Sequence, residues 1–376
     1  MLVLEATNGG TGRHVEEAIA ALDSEEFELH VVCSTGRSPR FLDAIRLTGH
    51  RVTVLPMVRR PDAVLDPFCI FRLRRLLHEW PCDVLYLHSS KAGFLGRIAA
   101  LRWRGKVVYA PHAPYFLRRD GLASWPRLFR GAERLFASRV DVLHAVSRAE
   151  AAIMVENRIY DENRIFVLEN AINTSTLRAQ LGPLDPARGE NRPRTIGFIG
   201  ALRRQKAPLL FLRAVRRALT RGLDARFLLP ASGPQLDPCR RYVARHRLCD
   251  HVEFLPATDS LHELYRRLDI AVLPSSWEGL PYTLLEAMAL QLPVIASDLP
   301  VFRELIASIE PQLLFPAGDA DALADRLIFW ARRPAPEIER VTSRLHERIC
   351  QEHDWSTWRE QLREFVRGLT AEVRRI

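Results

Sequence analysis

The sequence predicts an α/β fold of two doubly wound, Rossmann-like domains in series, and three observations predict it. A chain of 376 residues exceeds what one ordinary core supports, so two domains are expected. Short apolar runs alternate with amphipathic stretches, break once at a turn-rich segment, and then resume. The runs are apolar almost throughout, as parallel strands covered on both faces should be. Strand–helix alternation at this spacing is the pattern of a doubly wound sheet.

In the first half the expected strands are Leu2–Ala6, Leu29–Cys33, Val52–Leu55, Val84–Leu87, Val107–Ala110, Val142–Val146 and Phe166–Leu168. Helical patterns fall between them, among them Val15–Leu22, Phe68–His78 and Phe94–Trp103. From Gly182 to Pro193 the chain is rich in turn formers and polar residues, which predicts a linker. Strands are then expected at Thr195–Ile199, Arg226–Leu229, Val252–Leu255, Ile270–Leu273, Val294–Ala296 and Leu313–Phe315. The expected division is a first domain over 1–180, a linker over 181–193, a second domain over 194–352 and a terminal segment over 353–376. Ligands of doubly wound sheets bind outside the carboxyl ends of the strands, so a cleft between two such domains is the expected site.

Composition narrows the class. At 47% hydrophobic and 26% charged residues the chain is that of a globular protein rather than a disordered one. No stretch has the length of a membrane-spanning helix, and the N-terminus lacks a signal-peptide pattern, so a cytoplasmic protein is expected. Cys33, Cys69, Cys82, Cys239, Cys249 and Cys350 are scattered without metal-ligand spacing, which fits a reduced compartment. The net charge of +9 rests almost wholly on arginine, since Lys91, Lys106 and Lys206 are the only lysines. The arginine excess is read as base composition. It makes each surviving lysine a candidate for a site that needs a compact ammonium. Basic residues gather in the first half, at Arg72, Arg74, Arg75, Arg102, Arg104, Lys106, Arg118, Arg119, Arg127, Arg130 and Arg134. Such a surface suits an anionic lipid or a phosphorylated acceptor. No reader motif for nucleic acid accompanies it, which argues against that partner.

Every candidate motif falls just after an expected strand. The segment Pro274–Ala289 follows Ile270–Leu273. In it Gly279 lets the backbone approach a ligand, and Pro281 suits a first helical turn whose free N–H groups favour a phosphate. Glu286 then lies about a turn and a half into the helix, where it can accept hydrogen bonds from a ribose diol, and Glu278 lies before it. This segment, with Leu292–Asp298 after it, resembles the E-x7-E signature of retaining family-4 glycosyltransferases, whose two-domain fold is called GT-B. The resemblance implies that Glu278 lies beside the donor sugar, with Gly279 and Leu280 in the same loop, and that Glu286 holds the nucleotide ribose.

The resemblance extends over nearly the whole chain. Ile199–Ala207 is similar to the family's G-R-L-x-x-x-K-G segment, which neutralises the donor diphosphate. Gly200 and Lys206 match, Ala201 stands where the family has Arg, Ala207 replaces the final Gly, and Arg203 or Arg204 is the candidate substitute charge. Thr7–His14 is similar to the family's glycine-rich loop, with Gly10 and Thr11 as donor-binding candidates. Val107–Phe116 resembles the loop whose histidine, here His112, contacts the donor sugar at the reaction centre. His88 and Lys91, in Leu87–Gly93, are acceptor-side candidates. Glu169–Asn173 resembles the stretch that ends the first domain, and the run after Asp354 resembles a terminal helix that packs back on it.

What the resemblance implies is transfer of a sugar with retention from a nucleotide-sugar donor to a glycan or lipid-linked acceptor in surface-polysaccharide synthesis. His112, Glu278 and Lys206 are then the catalytic candidates. It implies no obligatory metal, and no D-x-D metal motif is recognised. A nucleotide-sugar epimerase of the same architecture and a non-catalytic basic binding protein stay open as alternatives. Residues 125–136 place apolar side chains at 125, 128, 129, 132, 135 and 136 on one helical face, with Arg127, Arg130 and Arg134 off it. Such a helix fits either an anionic membrane surface or packing on its own domain.

Overall fold

The computed structural model describes residues 1–23, 25–34, 39–117, 125–181, 192–256 and 261–373. The expected linker from 182 to 191 lies outside these residues, as do Arg118 and Arg119 of the basic cluster. In chain order the first elements are β1 (Leu2–Leu4), α1 (Gly9–Leu22), β2 (His30–Cys33), α2 (Pro39–Leu47), β3 (Arg51–Val54), α3 (Leu65–Glu79) and β4 (Val84–His88). Next come α4 (Ser90–Ala99), β5 (Lys106–Ala110), α5 (Trp125–Ala137), β6 (Val142–Ala145), α6 (Arg148–Glu156), β7 (Ile165–Val167) and α7 (Thr174–Leu181). They are followed by β8 (Arg194–Phe198), α8 (Pro208–Thr220), β9 (Ala225–Pro230), α9 (Leu236–Arg245), β10 (Val252–Leu255), α10 (His262–Arg267) and β11 (Ile270–Leu273). The last are α11 (Tyr282–Ala289), β12 (Val294–Ser297), α12 (Pro300–Ile306), β13 (Leu314–Phe315), α13 (Ala320–Ala331), α14 (Ala335–Glu352) and α15 (Trp355–Val373).

Two compact units result: Met1–Asn170 with Trp355–Ile376, and Ala171–Asp354. Helix α7, expected in the first domain, packs with α10 and α11 and so groups with the second unit. The first unit holds a seven-stranded sheet in the order β3-β2-β1-β4-β5-β6-β7, and the second a six-stranded sheet in the order β10-β9-β8-β11-β12-β13. All pairings are parallel. In both sheets the order runs outward from the first strand in one direction and then reverses. The reversal lies between β1 and β4 in one unit and between β8 and β11 in the other. Loops diverge there, leaving room above the strand ends.

Burial follows strand position. Central β4 is buried at every residue, whereas edge strand β3 is not, because only one side of it is covered. Helix α15 buries Trp358, Leu362, Val366 and Leu369, one helical face worth roughly 1.5–3 kcal/mol per side chain. That face meets α1. Around it Arg363 donates to the Ala21 carbonyl at 2.5 Å, Phe365 stacks on Phe166 at 4.0 Å, and Arg367 pairs with Glu26 at 2.6 Å.

Three expectations need correction. The apolar face of residues 125–136 is not a single surface: Phe129 packs on Tyr115 and Phe136 on Phe94, while Leu128 and Leu135 stand 67% and 71% exposed. Glu133 points inward instead, because Arg97 of α4, itself buried, pairs with it at 2.8 Å, and the Tyr109 hydroxyl donates to it at 2.9 Å. The helix expected at Phe94–Trp103 begins earlier and ends at Ala99. A D-x-D spacing does occur, at Asp319–Ala320–Asp321. It is a helix cap: Asp319 accepts from the Asp321 and Ala322 N–H groups, and Asp321 pairs with Arg217 and Arg221. The six cysteines are all free, with Cys33, Cys69 and Cys239 buried.

Candidate active site

In the second unit, the loops at the reversal point carry the motifs. After β8 the chain turns at Gly200, whose φ of 125° is closed to a side-chain-bearing residue. A Cβ there would meet only the Lys206 stem at 3.5 Å, an ordinary contact, so the backbone rather than space demands glycine. A short 3-10 turn, Arg204–Lys206, then leads into α8. Ala207, which closes that turn, is left-handed at φ 51° and ψ 52°, where the resembling segment has glycine. After β11 the loop through Glu278 runs to Pro281, which caps α11.

The two loops are clasped together. Lys206 Nζ lies 2.7 Å from Glu278 Oε1, both side chains largely buried. Gln205 Nε2 donates to Glu278 Oε2 at 3.2 Å and to the Trp277 carbonyl at 3.0 Å, and Ser276 N–H donates to the Gln205 carbonyl at 2.8 Å. On α11, Glu286 accepts from the Tyr265 hydroxyl at 2.7 Å, which orients its carboxylate. Gly279 and Leu280, in the same loop as Glu278, are buried, Arg203 is half-buried and Arg204 exposed. Gly233 (φ 123°) brings its backbone so close to Leu202 that a Cβ would stand 2.6 Å from the Leu202 carbonyl oxygen. Among the described residues the buried hydroxyls of Ser275, Ser297 and Thr283 have no hydrogen-bond partner.

In the first unit the Thr7–His14 segment opens the first helix, as expected, with α1 starting at Gly9 after the N-cap Asn8. Gly10 is exposed there and Thr11 half-buried. Gly12 is the position with no room, since a Cβ would lie 2.5 Å from the Thr7 carbonyl oxygen. Two residues on, His14 is fully buried, and four histidines converge: His14 from α1, His88 from β4, His112 after β5 and His144 from β6. His14 Nδ1 donates to Asn170 Oδ1 at 2.9 Å. His88 Nδ1 and His112 Nε2 share a hydrogen bond at 3.1 Å, and His88 stacks on Tyr86. His144 donates from Nε2 to the Leu168 carbonyl at 3.0 Å, so its Nδ1 accepts from the Tyr86 hydroxyl. Trp358 of α15 meets His14 edge-on at 5.5 Å.

Burial keeps these imidazoles neutral. It pushes His14, with His144 beside it, down to about 3, and His144 down to about 4. His88 and His112 lie well below the usual range, first from burial and then from the neighbouring imidazoles. His14, His88 and His112 bring one ring nitrogen each within 4.8 Å of the others, close enough to gather on a metal ion, although His88 and His112 spend one pair of nitrogens on each other.

The structure therefore brings His88 and His112 together, and Lys206 and Glu278 together. Lys91 is turned elsewhere: its ammonium donates to Asp66 at 2.5 Å and to the Arg60 carbonyl at 3.0 Å. Sequence reasoning missed Gln205, Tyr265, Gly233, His14, His144 and Asn170. Gln205 adjoins Lys206 in the same motif, and His14 closes the glycine-rich run. For Tyr265 and His144 no local signal exists.

Residues 8–176 match the family described as Glycosyltransferase Family 4, and residues 193–332 the family described as Glycosyl transferases group 1. A lipopolysaccharide core biosynthesis mannosyltransferase of Rhizobium meliloti is 31% identical over 74% of this chain and 83% of its own. A UDP-Gal:α-D-GlcNAc-diphosphoundecaprenol α-1,3-galactosyltransferase of Escherichia coli is 24% identical over 82% of this chain and 81% of its own. Among solved structures, an Anabaena protein in complex with UDP-glucose superposes with a TM-score of 0.75 at 19% identity, covering 98% of both chains. Sucrose-phosphate synthase from Thermosynechococcus elongatus gives 0.78 at 18% identity over 99% and 98%. The fold is thus GT-B, and the chain belongs to family 4 of the glycosyltransferases, group 1.

Proposed function

We propose that this enzyme moves a sugar, with retention at the anomeric carbon, from a nucleoside-diphosphate donor to a glycan or lipid-linked acceptor in surface-polysaccharide synthesis. The observation that carries the reading is the clasp at the second unit's reversal point. Lys206 and Glu278 touch there, with Glu286 oriented by Tyr265 on the next helix. The relatives named above, whose own names give a mannosyl and a galactosyl transfer, support it.

In this mechanism the nucleotide ribose is held by Glu286 and the diphosphate by Lys206, the backbone around Gly200, Gly279 and Leu280, and the α11 N-terminus. Arg203 or Arg204 adds the charge absent at Ala201, and the first turn of α1, at Gly10 and Thr11, meets the donor phosphates. The bond between the anomeric carbon and the diphosphate oxygen breaks, so negative charge grows on that oxygen. The preplaced ammonium and N–H groups stabilise it there. Glu278, freed as Lys206 turns to the phosphate, faces the sugar. Neutral His112 hydrogen-bonds the sugar without adding charge. The acceptor hydroxyl attacks the same face, and its proton leaves with the departing diphosphate. His88, fully buried, acts on the acceptor side through its hydrogen bond to His112. Lys91 reaches an acceptor phosphate only by giving up its pair with Asp66.

Melting temperature against UDP, GDP, ADP and their common sugars tests the donor site. A ligand at one hundred times its Kd stabilises the native state by about 2.7 kcal/mol. The expected result is a shift with one nucleotide that disappears in Lys206→Ala and Glu286→Ala. No shift with any of them overturns the reading.

We also propose a peripheral position on the inner face of the membrane. Among the described residues no helix is long and apolar enough to cross a membrane. Support comes from exposed Leu128 and Leu135 of α5, from Val64 just before α3 and from Phe68 and Phe71 on it, with Arg72 and Arg75 nearby in sequence. Co-flotation with phosphatidylglycerol vesicles should fall in Leu128→Ser/Leu135→Ser; unchanged flotation refutes the contact.

A further inference from the structure

Glu150 lies on α6, outside the Val107–Phe116 segment in sequence, and is 2% exposed. Ser147 caps α6, its hydroxyl accepting from Glu150 N–H at 3.1 Å. Ser-x-x-Glu at a helix start is the sequence of a capping box, in which the glutamate folds back to the N-cap N–H. Here the carboxylate is engaged otherwise. One oxygen accepts from Val146 N–H at 2.9 Å, and the other crosses to the loop after β5 and accepts from Ala113 N–H at 2.8 Å.

That loop has unusual backbone. His112 has φ 52° and Ala113 φ 74°, two successive side-chain-bearing residues in the left-handed region. Such conformations persist only where the surroundings over-determine them. Downstream, Ser90 accepts from Tyr115 N–H at 3.2 Å, which ties the loop beyond the turn and leaves the turn itself to another anchor. The bond to Ala113 N–H is made at the turn, next to the residue whose imidazole meets His88 at 3.1 Å and His14 at 4.6 Å.

We infer that Glu150 is a positioning residue for His112: its carboxylate, reaching from α6 to Ala113 N–H, holds the left-handed turn that presents the imidazole. The inference rests on the reading of His112 as the residue beside the transferred sugar. Glu150 touches no substrate in this account. It acts only through the backbone of the turn, and the nucleotide site on the second unit does not depend on it.

Glu150→Gln keeps the shape but turns an amide NH2 toward one of the two N–H donors. Three measurements on the full chain test the role: turnover, nucleotide affinity by titration calorimetry, and the imidazole resonances of His112 in histidine-labelled protein, assigned with His112→Gln. Expected are a ten- to hundredfold loss of kcat, as for a misplaced reacting group, nucleotide Kd within about twofold, and displaced His112 resonances. Glu150→Asp, whose carboxylate is too short to span both donors, should move the same signals and covers the case in which the amide variant fails to fold. Ala113→Gly in the Glu150→Gln background should restore part of kcat, because glycine adopts the turn unaided; a purely structural role for Glu150 gives no such rescue. Native turnover, or lost turnover with His112 resonances unmoved, overturns the inference. If no donor is turned over at all, the transferase reading fails, while the His112 resonances still decide the role of Glu150.

Discussion

Removing the Glu133 carboxylate should unfasten the layer beneath the His112 loop. Arg97 and Glu133 form a pair at 2.8 Å with side chains only 2% and 6% exposed. Burial works against the charged guanidinium, but Glu133, Tyr109 and Tyr160 around it more than offset that, so Arg97 stays charged. Arg97 also donates to the Gly93 carbonyl at 2.8 Å and lies over the Tyr109 ring. Glu133→Ala leaves this guanidinium buried without a counter-charge, at a cost of roughly 3–5 kcal/mol. The Tyr109 hydroxyl loses its acceptor as well, worth about 1 kcal/mol. Deleting both charges with Arg97→Met/Glu133→Leu should cost far less, about 1–2 kcal/mol, since what hurts is the uncompensated charge. Because two units unfold, hydrogen exchange resolved on peptides over 84–110 and 125–137 is the suitable assay, with urea unfolding alongside. A Glu133→Ala cost under about 1 kcal/mol, or a double variant as costly as the sum of the singles, would refute the argument.

Two further outcomes follow from backbone and charge. Ala207→Gly should raise stability by up to about 1 kcal/mol, because a left-handed alanine is strained; a lower urea midpoint for the variant contradicts this. Stability should fall as pH drops from about 6.5 toward 4. His14 and His144, at about 3 and 4 in the folded chain, bind protons near 6.5 once unfolded. Each contributes a loss of roughly 1 kcal/mol per pH unit over that window. Glu150, raised by burial to about 7, works in the opposite direction above pH 4.5, so it offsets one histidine. Urea midpoints at pH 7, 6 and 5 that do not decline would show the histidine cluster to be hydrated.

Much of the architecture was legible along the chain because its causes are local. Alternating apolar runs and amphipathic stretches report strands and helices over a few residues, and the terminal residues alone shift, as with the helix that ends at Ala99 rather than Trp103. Glu278, Glu286 and Lys206 were likewise visible, since each lies in a short segment whose glycines and prolines mark a strand-to-helix turn. The linker, read from composition, falls on residues the structure does not describe. The burial of Glu133 has no local sign, because a carboxylate on a helix is normally solvated and only a cationic partner 36 residues away reverses that preference.

What the sequence by itself determined is therefore the two sheets, their order of elements and the motif-bearing turns after β8 and β11. What only tertiary structure decided is which distant residues meet around the loops that leave the strands of the first sheet. His14 and Asn170 stand 156 residues apart and meet at 2.9 Å, and Glu150 reaches Ala113 across 37 residues. Neither pairing leaves a mark on periodicity. Each exists because parallel pairing lays β1, β4, β5 and β6 side by side, so that the loops and helices leaving their carboxyl ends share one neighbourhood. A side chain's role there is set by what crosses over from the neighbouring strand, and sequence distance carries no record of that.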